Sequence, residues 1–132
     1  MSDALRMAGL ALRAGRLEVG EEPVAAACRG KRSRLVLAAS DAAQGSRLRA
    51  ERFAAEGQCL FLILPCTKEE LGGALGRSAC AMAAVTDLGL AQAIAKRLAA
   101  EDPAAYGPAA ERFAAKAARR RARRGGAASK KN

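Results

Sequence analysis

The chain of 132 residues contains no histidine and no tryptophan, and only 3% of it is aromatic. Without imidazole the usual nucleophile–base pairs cannot form, and no cysteine–histidine zinc site can be completed. The four cysteines, Cys28, Cys59, Cys66 and Cys80, leave no CxxC spacing. Each lies in or beside an apolar run, so they read as small buried thiols, reduced in a cytoplasmic protein. Neither GxGxxG, nor a phosphate-binding loop, nor GxSxG occurs, and Gly72, Gly73 and Gly76 read as packing and helix-end glycines. Asp3, Asp41 and Asp87 fall at expected helix starts, where capping explains them. These absences predict a protein without catalysis, metal or cofactor.

Long apolar runs are also missing. The longest free of charge, Cys59 to Cys66, is far short of a membrane span. Arg6 and Arg13 interrupt the N-terminal apolar stretch and disqualify it as a signal-peptide core. The core must be built from Ala, Leu, Val and Ile.

What the chain has is positive charge. Lys and Arg number 23 against 13 Asp and Glu, a net charge of +10. Residues 1–100 carry 14 basic and 10 acidic residues, or +4, whereas residues 101–132 carry 9 and 3, or +6. A polyanion is the natural partner, and nucleic acid is the commonest. The competing reading is a solvated surface that keeps the protein soluble.

Patterning divides the chain into alternating helices and strands. Ser2 caps a helix from Asp3 with Leu5, Gly9 and Leu12 on one face, stopping at Gly15. Leu17–Val19 reads as a short strand, and Glu21–Cys28 as a helix that tolerates Pro23 in its first turn. Leu35–Ala39 is a buried strand, and Gln44–Glu56 a helix with Leu48 and Phe53 inward. The run from Cys59 to Leu64 reads as the clearest central strand. Thr67 and Glu70 form a capping box for a helix ending at Gly76, and Ala79–Val85 makes a fourth strand. A last helix starts at Thr86 or Asp87 with Leu90, Ile94 and Leu98 at helical spacing. This order implies an α/β protein with its sheet between helical layers. Pro103, Gly107 and Pro108 mark residues 101–108 as a linker between a domain of residues 1–100 and a basic, mobile tail of residues 109–132.

The segments LRMAGLALRAGRLEVGEEPV, RLVLAASDAA, TKEELGGALGRS and AAVTDLGLAQAI, in that order over residues 4–98, resemble the L-seven-Ae superfamily of ribosomal and kink-turn RNA-binding proteins, closest to its bacterial YlxQ-like branch. The resemblance implies a three-layer α-β-α sandwich with a four-stranded mixed sheet. It implies a non-catalytic protein of ribonucleoprotein or ribosomal context whose partner is structured RNA, and the chain is expected to be a monomer. It also implies RNA contacts at the N-terminus of the second helix, Gly20, Glu21 and Glu22 through Ala26, and in a loop before the last strand, Gly76 to Ala79, with Arg77 and Ser78. A helix N-terminus suits this because it offers unpaired N–H groups and partial positive charge to an anion. Where kink-turn binders carry Asn, Glu and Lys, this chain has Glu22, Pro23 and Ala26. Glu22 keeps an acceptor for a guanine edge, while Ala26 removes a phosphate contact.

Two further basic groups are candidates. Arg29, Lys31, Arg32 and Arg34 follow the second helix and read as a phosphate-positioning patch adding to that site, against a plain solvated turn. Arg119, Arg120, Arg121, Arg123 and Arg124 read as non-specific RNA attachment in the tail. The lack of aromatics argues against recognition of single strands by stacking, and Tyr106 reads as incidental. Two alternatives compete: an accessory substrate-binding domain of an RNA-modifying enzyme, against which the absence of a catalytic domain in this chain argues, and a non-specific nucleic-acid binder acting through its tail.

Overall fold

The Ser2 hydroxyl accepts from the Leu5 N–H at 3.3 Å and starts helix α1, Asp3–Arg13. In this computed structural model residues 2–130 are described, with side chains through Arg124. Strand β1, Leu17–Val19, leads into α2, Glu21–Arg29; β2, Leu35–Ala38, leads into α3, Gln44–Glu56. Strand β3, Leu60–Ile63, precedes α4, Lys68–Ala74, and β4, Met82–Val85, precedes α5, Leu88–Glu101. Helix α6 runs Pro103–Lys130.

The sheet order is β1-β4-β2-β3, with β2 parallel to β3 and the other pairs antiparallel. Alternation along each strand splits the core between two faces. Leu35, Leu37, Ala83 and Val85 pack with α1, α4, α5 and Phe113 of α6, while Val36, Met82 and Ala84 pack with Val24, Ala27 and Cys28 of α2 and Ala50 and Ala54 of α3. The result is the three-layer α-β-α sandwich with a mixed four-stranded sheet. Ala83 and Ala84 are fully buried in β4, where small side chains let helices approach both faces.

Four expectations need correction. The run around Leu60–Ile63 is an edge strand, and it is apolar because Leu60 and Leu62 pack on one core and Phe61 on the other. Residues 79–81 are loop, so the fourth strand begins at Met82. Leu48 is 47% exposed, because Ala50 and Ala54 are the positions α3 turns inward. Residues 101–108 are not an extended linker. Only Asp102 separates α5 from α6, and its carboxylate accepts from the Ala105 N–H at 3.1 Å. Pro103 opens α6, where a missing N–H costs nothing, and Pro108 sits on an exposed position.

The segment read as tail continues α6 and folds back along α5. Phe113 is 1% exposed within the main core, and Ala109 is also buried. The Tyr106 hydroxyl donates to the Ile63 carbonyl at 2.5 Å, tying α6 to the edge strand. Residues 131–132 of that tail lie outside the described residues. Among the described residues no helix is long and apolar enough to cross a membrane.

Candidate nucleic-acid interface

Gly20 turns the chain from β1 into α2 at φ 101° and ψ 166°, a region essentially restricted to glycine. Its N–H donates to the Met82 carbonyl at 3.1 Å, which sets the start of α2 against the start of β4. Among the described residues no side chain caps α2 or α3, and both begin at this end of the sheet. Their first-turn N–H groups are therefore free to meet an anion. Glu21 and Glu22 are exposed in the first turn of α2.

The loop before β4 reaches the same end because two glycines shape it. Gly76 follows α4 with φ 76°, and the Arg77 N–H returns to the Gly72 carbonyl at 2.8 Å. A Cβ on Gly72 would lie 2.6 Å from Ala79 Cα, so only glycine lets the loop close over α4. Gly73 meets nothing, so its packing role is not needed. Arg77 and Ser78 emerge exposed. The segments Gly20 to Ala26 and Gly76 to Ala79 thus share one end of the sandwich.

Arg49 of α3 has no signal in the local sequence, yet it pairs with Glu21 through Nε. The pair offsets a carboxylate that would otherwise repel phosphate. Arg29, which sequence groups with the following turn, instead lines an α2–α3 groove with Glu22, Ala26 and Phe53. It lies three residues beyond Ala26, on the same helical face. Two carboxylates at this end cap a helix. Asp41 Oδ1 accepts from the Lys68 N–H at 2.7 Å, capping α4 rather than its own helix, and Glu70 completes a capping box with Thr67. At the opposite end of the sheet Asp87, as expected, caps α5 through the Leu90 N–H at 2.9 Å.

Lys31, Arg32 and Arg34 do not add to this end. Helix α2 has 9 residues, so a rise of about 1.5 Å per residue carries the chain ~13 Å to the opposite end of the sheet. There the Arg34 N–H donates to the Val85 carbonyl at 2.7 Å, Arg32 meets Glu18 at 3.8 Å, and Lys31 Nζ donates to the Glu56 carbonyl. Proximity in sequence misled because a helix intervenes. Arg119, Arg120, Arg121, Arg123 and Arg124 are all exposed on α6. Because α6 runs back along α5, Arg120, Arg121 and Arg124 share a hollow with Asp87, Leu88 and Gly89 at the start of α5.

Burial pushes the Cys28 and Cys80 thiols up, and burial, with Glu70 and Asp41 nearby, pushes Cys66 up to about 11. Among the described residues no three His, Cys, Asp or Glu side chains gather as metal ligands.

Fold and site together define a small α-β-α sandwich domain with an exposed helix start and Arg77 loop at one end and a cluster of exposed arginines on α6. No protein-family model matches the chain, and no curated protein matches it in sequence. Solved structures do. A protein of unknown function from Bacillus halodurans superposes with a TM-score of 0.68 at 26% identity, over 74% of this chain and 98% of that one. A 15.5kD RNA-binding protein from Giardia lamblia shares the fold with a TM-score of 0.57 at 15% identity, over 71% of this chain and 80% of that one.

Proposed function

We propose that this chain is a non-catalytic RNA-binding protein of the L-seven-Ae kind that holds structured RNA in a ribosomal setting, at the end formed by the α2 N-terminus and the Arg77 loop. The observation that carries the reading is the Gly20–Met82 hydrogen bond at 3.1 Å, which sets an uncapped helix start at the same end of the sheet as the exposed Arg77 and Ser78. The fold it shares with the Giardia RNA-binding protein supports the reading, as does the net charge of +10. Arg77 serves as a phosphate contact and Ser78 as a partner for a 2′-hydroxyl. Glu22 accepts from a guanine edge. The absence of histidine, the raised thiol pKa values and the capping roles of Asp41, Glu70 and Asp87 all favour binding without catalysis.

Fluorescence anisotropy with a kink-turn RNA, a plain RNA duplex and a DNA duplex of equal length tests this. Arg77→Ala is expected to weaken kink-turn RNA whatever its base sequence. Glu22→Ala is expected to cost about 1–3 kcal/mol on the preferred RNA and little on the others. Equal affinity for DNA and RNA, with neither substitution felt, would reject the assignment.

A further inference from the structure

We infer that the other end of the sandwich is a second RNA surface, so that one molecule holds two RNA segments at once. The inference rests on the RNA-binding reading above and extends it to a second contact. Three elements remote in sequence converge there. Arg34 enters β2 bonded to Val85, the last residue of β4. Two residues further, Asp87 opens α5 and faces Arg120, Arg121 and Arg124 of α6 across a shallow hollow. On the neighbouring side Leu60, the register partner of Leu35, lines a hollow with Lys116 and Arg119. The cations therefore straddle the ends of β2, β3 and β4 as one surface.

Their charge is available. Among the described residues neither Arg34 nor any of these α6 cations forms an ion pair, whereas Arg32 is held by Glu18. The one carboxylate in the α6 hollow, Asp87, already accepts from the Leu90 N–H. Lys116, Arg120 and Arg124 recur every fourth residue, which aligns them along one face of α6. The surface holds cations but no exposed aromatic ring, since Phe113 beneath it is 1% exposed. Such a surface fits the backbone of a duplex rather than unstacked bases. Separation by the length of α2 leaves the first end open while the second is occupied.

The test uses the full chain, a kinked RNA in one colour and a plain RNA duplex of about 20 base pairs, longer than a typical duplex-binding footprint, in another. Binary affinities, their salt slopes and two-colour coincidence are read for three proteins. The wild type is expected to give coincident complexes. The triple variant Arg34→Glu, Arg120→Glu, Arg124→Glu is expected to keep kinked-RNA binding and lose coincidence. Its affinity for the plain duplex should fall about ten-fold or more, with a salt slope shallower by about 0.9 for each phosphate it no longer neutralises. Arg77→Ala should do the reverse. Circular dichroism checks that each variant is folded, and a misfolded triple is replaced by Arg34→Gln with Arg120→Gln. Plain-duplex affinity and slope unchanged in the triple variant overturn the second surface. Equal weakening of both RNAs by the triple overturns its independence. Displacement of the duplex by polyglutamate at equal charge overturns RNA as its partner. If the wild type binds neither RNA, the underlying RNA reading fails instead.

Discussion

The Gly20 N–H donates to the Met82 carbonyl at 3.1 Å, and this bond joins two segments more than sixty positions apart into one end of the sandwich. The bond depends on a backbone conformation, φ 101° and ψ 166°, that a side chain disfavours. Gly20→Ala is therefore expected to cost about 1–3 kcal/mol of stability. It should also weaken RNA binding beyond that loss. Urea unfolding and anisotropy measure the two, and an unchanged urea midpoint would remove the strain argument.

Gly72→Ala should act on the same site from beneath. Its new methyl would sit 2.6 Å from Ala79 Cα, and the neighbour is backbone, so the loop must move. The expected cost is about 1–3 kcal/mol, as for overpacking. Amide shifts in residues 76–80 should exceed those elsewhere, and RNA binding should fall as it does in Arg77→Ala. Gly73→Ala, which meets nothing, is the control and should be neutral or stabilising.

The Arg49–Glu21 pair predicts a coupling. Arg49→Ala should weaken RNA binding by exposing Glu21, whereas Arg49→Ala with Glu21→Gln should recover most of the loss. A double-mutant cycle reads the interaction directly. Additive effects would mean that Arg49 touches RNA rather than screening Glu21.

Phe113→Ala should destabilise the whole domain by about 3–5 kcal/mol, because a fully buried ring leaves a cavity. Hydrogen exchange should rise first in residues 103–124. Truncation after Ala118 removes the arginine run but keeps Phe113, and should leave thermal stability nearly unchanged. Similar melting losses for both changes would show that the distal part of α6 also carries stability.

Cys66 predicts the response to alkaline pH. Its thiol is held at about 11 in the folded protein, above the ordinary 9.0, chiefly by burial. Above pH 9 the unfolded chain therefore releases a proton that the folded chain retains, so stability falls as pH rises through this window. The urea midpoint should drop between about pH 9 and 11, and Cys66→Ala should flatten that drop. An equal drop in the variant would assign the effect to other groups.

Much of the fold was legible because its determinants are local. Ser2, Thr67 with Glu70, and Asp87 cap the helices they were expected to cap, and Leu35–Ala38 is the buried strand its composition implied. Misreadings came where burial has a tertiary cause. The run Leu60–Ile63 looks central, yet it lies at the edge with two cores touching it. Asp102 and Pro103 look like a break, yet they form a one-residue corner between two packed helices. Tyr106 looked incidental, yet its hydroxyl anchors α6 to Ile63.

The candidate site divides in the same way. Sequence by itself determined which residues carry charge and where most of the helices begin, because these depend on a residue and its near neighbours. Only the tertiary structure decided which of them meet. It brought Gly20 to Met82 and Arg49 to Glu21. It also carried Lys31 and Arg34 to the far end of α2, where Arg34 shares an end of the sheet with the arginines of α6. Strand order and the antiparallel return of α6 set those distances, and both arise from packing two apolar faces that no local window contains.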